Sequence, residues 1–300
     1  MNDMQHNNEK LSVWGELSPL VIDPLIRSAL AEDIGTGDIT TDSVIPPSTQ
    51  ISGRLIAKEN GCICGLPVFC RVYALLDPAV SIELVANEGS TVIKGDIIAR
   101  ISGPARAILT GERVALNYLQ RLSGIASKTA WAVDQVAGTR ARITDTRKTT
   151  PGLRVLEKYA VRVGGGSNHR FNLSDGILIK DNHIQAAGSI TAAVTAARAR
   201  APHTLKIEVE VEDSAMIAEA LACRADIIML DNMGQAAIEA AVSQIDGRAL
   251  IEISGNMGDR DLKALAATGI DLISIGALTH TVKAMDISLR FEPLQVKSEG

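Results

Sequence analysis

The stretch ITDTRKTTPGLRVLEKYAVRVGGGSNHRFNLSDGILIKDNHI, residues 143–184, opens the part of the chain whose pattern decides the fold. Ile143 to Thr146 reads as a short strand and Arg147-Lys148-Thr149-Thr150 as a loop. Pro151, pre-set in φ for a first helical turn, opens a helix predicted to reach about Val163. Gly164, Gly165 and Gly166 end that helix as a C-cap and flexible connection. The same glycines expose backbone N–H groups, which alone is weak support for phosphate binding. His169 and Arg170 then precede a strand from Gly176 to Lys180 that ends in Asp181-Asn182-His183.

Arg147, Lys148, His169, Arg170 and Lys180 thus gather in loops and at strand ends, although the formal net charge is -5. A protein that collects cations locally against its own average is built to hold an anion.

Onward from Ile143 the chain alternates strands and helices, the pattern of a parallel α/β domain. Strands are predicted at 143–146, 176–180, 205–211, 226–230, 249–254 and 270–275. Helices are predicted near 152–163, 189–200, 213–223, 234–244 and 259–268, with Ser189 and Asp213 as N-caps and Gly188 and Gly269 just outside helix ends. Every strand finishes on a polar or glycine position: Thr146-Arg147-Lys148, Lys180-Asp181, Glu210, Asp231-Asn232, Ser254-Gly255-Asn256 and Gly276. A doubly wound sheet would concentrate such residues at one switch point, usually after a G-x-G-x-x-G turn that this sequence lacks. A barrel collects them from many strands at one face, so the pattern favours a barrel.

In Ile207-Glu208-Val209-Glu210-Val211 the two glutamates share one face of a strand, about 7 Å apart by the strand repeat. On an edge strand they would be solvated. Beside Asp231 at a barrel mouth they would form an oxygen-rich site suited to Mg²⁺, which binds through one or two carboxylates plus substrate phosphates. The ends of the last two strands, Ser254-Gly255-Asn256 and Ile275-Gly276-Ala277, occupy places where barrels bind phosphate. Cations, carboxylates and a phosphate cradle together point to a phosphorylated anionic substrate rather than to redox chemistry.

The 300 residues, 46% hydrophobic, allow one large or two moderate domains. The first third reads as a mixed α/β unit. It has a helix over Val21 to Glu32, strands at Ile51 to Lys58, Val80 to Ala86 and Ile97 to Ile101, and a helix near Pro67 to Leu76. From Ala105 to about Val136 the pattern is helical, with an interruption predicted at Ser123-Gly124. Gly111-Glu112-Arg113 and Asn117 read there as a solvated face. Cys62, Cys64, Cys70 and Cys223 show no paired zinc spacing and read as reduced thiols. The polar start MNDMQHNNEK carries no apolar targeting segment and the first twenty residues are expected to be variable. No stretch is long enough to span a membrane, so a cytoplasmic location is expected. Neither a nucleic-acid nor a membrane partner is expected.

Several long runs carry a resemblance: NYLQRLSGIAS (117–127), DTRKTTPGLRVLEKYAVRVGGGSNHR (145–170), LIKDNHI (178–184), IEVEVE (207–212) and IMLDNM (228–233). They resemble the carboxylating nicotinate-nucleotide pyrophosphorylases, also called quinolinate phosphoribosyltransferases. The similarity extends from EDIGTGDITTD (32–42) to SIGALTH (274–280). It implies a glycosyltransferase, in the pentosyltransferase class, acting in NAD biosynthesis. Quinolinate and phosphoribosyl pyrophosphate give nicotinate mononucleotide, pyrophosphate and carbon dioxide, with Mg²⁺. The implied fold is an incomplete, seven-stranded α/β barrel with an N-terminal open α/β sandwich. The sandwich would take residues 1–120, joined by 281–300, and the barrel 121–280. A homodimer with shared active sites is implied, with further assembly left open.

The resemblance also distributes roles. Arg113, lent by the partner subunit, would join Arg147, His169, Arg170 and Lys180 around the two carboxylates of quinolinate, where planar guanidinium forks suit bidentate pairing. Thr146 lies among them. Lys148 would face the phosphoribosyl group, and Glu210 and Asp231 the ribose hydroxyls and Mg²⁺-pyrophosphate, supported by Glu208 and Asn232. Ser254, Gly255, Asn256, Ile275, Gly276 and Ala277 would hold phosphate. Asn172 and Asn256 depart from the family pattern, which often has glycine there. His183 reads as a supporting residue and His280 as structural. Two rivals stand beside this reading: a paralogue with another acceptor, and a non-catalytic binder of phosphorylated metabolites. The full cation set and the three carboxylates argue against both.

Overall fold

The computed structural model describes residues 17–292, which divide into two compact units. One comprises the described residues up to Ser127, Val155–Val163 and the segment from Lys283 onward; the other comprises Lys128–Arg154 and Gly164–Val282. Helix Ala105–Gln135 therefore contributes residues to each. Among the described residues no helix is long and apolar enough to cross a membrane.

The first unit is built on a four-stranded antiparallel sheet in the order Ile287–Phe291, Gln50–Ala57, Ile97–Pro104, Ser81–Leu84. Helix Pro19–Ile34 buries Ile22, Ile26 and Leu30, one residue per turn on a single face. Arg71 of helix Leu66–Leu76 forks onto the Asp23 carboxylate at 2.8 and 2.6 Å. The half-buried Glu88 side chain accepts the N–H groups of Gly65 and Leu66 at 2.7 and 2.9 Å, satisfying donors that the start of that helix leaves open. The interruption expected at Ser123-Gly124 is absent, and the helix runs unbroken. Gly124 is there for close approach: a Cβ on it would lie 2.2 Å from the Lys283 carbonyl oxygen. Cys62, Cys64, Cys70 and Cys223 are all free thiols.

The second unit carries six parallel strands: β1 Arg142–Thr144, β2 Ile177–Ile179, β3 Ile207–Val211, β4 Ile227–Asp231, β5 Leu250–Ser254 and β6 Leu272–Ser274. Their spatial order is β1-β6-β5-β4-β3-β2. Beyond β1 the sheet is extended by an isolated parallel bridge between Thr144 and Ser167, and β1 and β2 are not paired, so the barrel is incomplete. Strands covered on both faces read as aliphatic runs, and Ile143, Val209, Ile228, Leu230, Ile251, Ile253 and Ile273 are all buried. Each such side chain contributes about 1.5–3 kcal/mol relative to exposure.

The returning helices start where their caps predict. Ser189 Oγ accepts the Ala192 N–H at 3.0 Å, and Asp213 and Asp261 do the same for Met216 and Ala264. Two local expectations give way. Helix Arg154–Val163 begins three residues after Pro151, because Gly152 sits at φ +81° and the chain makes a turn first. Asp181-Asn182-His183 is not a strand end but the first turn of helix Asp181–Ala187, where His183 Nδ1 accepts the Lys180 N–H at 2.9 Å.

Candidate active site

Side chains alternate along a strand, so residues two apart share a face. That parity builds the site. β3 carries Glu208 and Glu210, β4 Met229 and Asp231, β5 Glu252 and Ser254; β2 carries Leu178 and is followed by Lys180, and β6 ends on Ser274. Lys180, Glu210, Asp231 and Ser254, with Leu178, Met229 and Ser274, line a cavity of about 570 Å³. Loops complete it with Thr146, Arg147 and Lys148 after β1, His169 and Arg170 before β2, and Asn232, Gly255 and Asn256 beyond β4 and β5. Leu178, Met229 and Ser274 are the only lining residues that the sequence does not single out.

Four unambiguous cations, Arg147, Lys148, Arg170 and Lys180, face two carboxylates, Glu210 and Asp231, in that lining. Nε of Arg147 is buried without a hydrogen-bond partner. Thr146 Oγ1 accepts the Lys148 N–H at 3.0 Å, turning the loop. The Lys148 carbonyl accepts the Thr279 hydroxyl at 2.8 Å. The Lys148 side chain passes over Gly276, where a Cβ would stand 3.0 Å from Lys148 Cδ. Arg170 donates to the Gly176 carbonyl at 3.0 Å. Burial first, and then repulsion from Arg147, lowers the pKa of its guanidinium, partly offset by Glu208. Lys180 Nζ is in very close contact with Glu210 Oε2.

His169 is held from several sides. Its N–H donates to Asp145 Oδ1 at 2.9 Å, and its Nδ1 accepts the Arg170 N–H at 2.7 Å. Nε2 lies 3.1 Å from Glu208 Oε2 and 3.6 Å from Glu252 Oε1. Ser274 Oγ donates to Glu252 at short range. Burial, then the Glu208 charge, pushes the Glu252 carboxyl up to about 8, with His169 and Ser274 opposing. Glu208 is itself buried and does not line the cavity.

The turns after β4 and β5 interlock. Asn232, at φ +53°, donates its N–H to the Ser254 carbonyl at 3.1 Å and its Nδ2 to Asp231 Oδ2 at 2.7 Å. Gly255 sits at φ +94° against the Asn232 side-chain oxygen, which a Cβ would approach to 2.1 Å. Ile275, Gly276 and Ala277 are not among the lining residues; Gly276 and Ala277 instead cap and open the short helix Ala277–His280. Arg113 is an exposed residue of helix Ala105–Gln135 and is likewise not among them.

Behind the lining, Glu252 and Asp145 are further residues that sequence reading misses. A glutamate two positions before Ser254 on an otherwise aliphatic strand repeats the Glu208/Glu210 parity, and that signal would have found Glu252. Asp145 is fully buried; besides the His169 N–H it accepts from Asn168 Nδ2 at 2.6 Å. Nothing local marks it, since these two partners come from more than twenty residues away.

Comparison with known proteins agrees over nearly the whole chain. Residues 125–290 match the quinolinate phosphoribosyl transferase C-terminal domain, and residues 38–123 match its N-terminal domain. A protein of Synechocystis sp. named as a probable carboxylating nicotinate-nucleotide pyrophosphorylase is 46% identical over 276 residues, covering 90% of this chain and 92% of that one. The crystal structure of NadC from Streptococcus pyogenes is 47% identical with a TM-score of 0.86, covering 92% of this chain and 99% of that one. The nicotinate-nucleotide pyrophosphorylase of Francisella tularensis is 39% identical with a TM-score of 0.88, covering 93% and 98%.

Proposed function

The chain belongs to the quinolinate phosphoribosyl transferase family, and from that premise we propose that the barrel cavity is the place where it works. The enzyme is a carboxylating nicotinate-nucleotide pyrophosphorylase of NAD biosynthesis. It converts quinolinate and phosphoribosyl pyrophosphate to nicotinate mononucleotide, pyrophosphate and carbon dioxide. The observation that carries the site assignment is the surplus of cations over carboxylates in one cavity of an acidic protein.

Two arginines on separate loops, Arg147 and Arg170, suit a ring bearing two carboxylates, because each planar fork pairs bidentately. The unpartnered Nε of Arg147 is a donor awaiting such an acceptor. Lys148, drawn across Gly276, is our choice for the phosphoribosyl side. Gly255 and Asn256 offer a cradle at positive φ for a phosphate. Glu210 and Asp231 are assigned to the ribose hydroxyls. Each already has a protein partner on one oxygen, Lys180 and Asn232, which leaves one oxygen of each carboxylate for the ligand. That fits Mg²⁺ held mainly by the pyrophosphate with these two carboxylates nearby. The ion would neutralise the departing pyrophosphate.

In this reading the pyridine nitrogen attacks C1 of the ribose while the cations hold the ring carboxylates in line. The positive charge left on the ring nitrogen stabilises the carbanion formed as the adjacent carboxylate leaves as carbon dioxide, and a proton taken from solvent at that carbon completes nicotinate mononucleotide. A homodimer in which Arg113 of each subunit completes the other's site is part of the same proposal. Its exposed position on the helix supports that role.

The test is purified protein with quinolinate, phosphoribosyl pyrophosphate and Mg²⁺, following release of carbon dioxide, with nicotinate as competing acceptor. Turnover of nicotinate in preference to quinolinate would remove the assignment.

A further inference from the structure

Arg154 is not among the residues that line the cavity, yet it ties together the loops that supply the cations. Its Nε donates to Thr149 Oγ1 at 2.9 Å and its Nη2 to the Arg147 carbonyl at 3.4 Å. Its Nη1 donates to the Phe171 carbonyl at 3.2 Å. Arg147 and Thr149 belong to the loop after β1; Phe171 directly follows Arg170. One guanidinium therefore bridges the backbones that present Arg147 and Arg170. The loops themselves have no regular structure over these residues.

The two arginines carry like charges in one cavity lining, and after burial the charge of Arg147 is the second cause that lowers the proton affinity of Arg170. Like charges on two irregular loops favour separation until an anion lies between them. Arg154 opposes this without adding a charge to the cavity lining. It sits at the first position of helix Arg154–Val163, after the Pro151-Gly152 turn, so its backbone is fixed by regular structure. A lysine could not replace it, having one nitrogen for three acceptors spread over two loops.

We infer that Arg154 is a positioning residue, which holds the two cation-bearing loops at one separation so that Arg147 and Arg170 meet the same anion already aligned. This rests on the proposed assignment of the cavity to quinolinate. The gain is preorganisation: loops fixed before binding lose less entropy when the ligand arrives.

The experiment compares wild type with R154K and R154A by steady-state kinetics and by amide hydrogen exchange. Loss of charge-assisted bonds to the loops predicts a KM for quinolinate raised about tenfold or more in both variants, with kcat falling by less. Exchange should accelerate over 169–176 while Ile207–Val211 stays protected as in wild type. R154K keeps the charge and the stem, so it decides the matter even if R154A does not fold. An R154K enzyme with KM and loop exchange both within about twofold of wild type overturns the inference. If wild type does not turn over quinolinate, the functional reading fails, and the exchange comparison alone still decides whether Arg154 clamps the loops.

Discussion

The imidazole of His169 directs Nε2 at Glu208 Oε2, 3.1 Å away, while its Nδ1 accepts the backbone N–H of Arg170. Nδ1 is thereby an acceptor, so the ring hydrogen sits on Nε2 and points at buried carboxylates. Both nitrogens serve the protein. His169 thus differs from the arginines beside it: its main work is to donate a hydrogen bond to a buried acidic pair from the cavity side. His169→Ala should therefore destabilise the fold by about 2–3 kcal/mol, because it strands Glu208 beside Glu252. Adding Glu208→Gln should recover part of that loss. Urea unfolding of the single and double variants measures both effects, and strictly additive losses would contradict the pairing.

Glu252 should make stability depend on pH. Its carboxyl is held at about 8 in the fold against an ordinary 4.5, with burial as the main cause and Glu208 second. The folded state thus keeps a proton that the unfolded chain releases, and stability is full below 4.5 and falls as pH rises toward 8. Glu252→Gln, which cannot ionise, should flatten that decline, worth on the order of a few kcal/mol across the window. Thermal melts at a series of pH values from 5 to about 8.5 check it; parallel curves for wild type and variant would refute it.

The strands and most helix starts are legible in the sequence because their signals are local. Ile227–Asp231 is an aliphatic run ended by a charge, and Ser189 and Asp213 announce helices with their own side chains. Parity alone places Glu210, Asp231 and Ser254 on a shared face. What escapes the sequence depends on distant partners or on one φ angle. Gly152 delays a helix, Gly124 accommodates a carbonyl from residue 283 without breaking one, and Asp145 acquires meaning only when folding brings it to Asn168 and His169. Arg154 reads from sequence as one more helical arginine, since its three acceptors lie on loops that folding brings together.

Arg147→Ala should abolish most turnover while leaving the fold intact. The residue's Nε is already unpartnered in the structure, so truncation removes no intramolecular side-chain bond at that atom. A missing bidentate partner for a carboxylate, felt again as charge redistributes in the reaction, predicts a fall in kcat/KM of about 10²–10³-fold. Circular dichroism and melting temperature should match wild type. Near-normal activity with quinolinate would remove Arg147 from the site.

The turn after β5 should tolerate one small substitution and not another. Asn256 sits at φ +50°, a region that asparagine tolerates and glycine prefers, so Asn256→Gly should change stability by less than about 0.5 kcal/mol. Any loss of activity in that variant then reports on the Asn256 side chain at the cavity wall. Gly255 is different. A Cβ there would collide with Asn232 Oδ1 at 2.1 Å and Cγ at 2.6 Å, and φ +94° is itself strained for alanine. Moving Asn232 aside would break its bond to Asp231 and release that carboxylate from its set position. Gly255→Ala should therefore cost about 2–4 kcal/mol of stability and raise KM for phosphoribosyl pyrophosphate more than KM for quinolinate. Kinetics on both substrates separate the cases: an equal rise in the two KM values would mean that the interlocked turns do not act through Asp231.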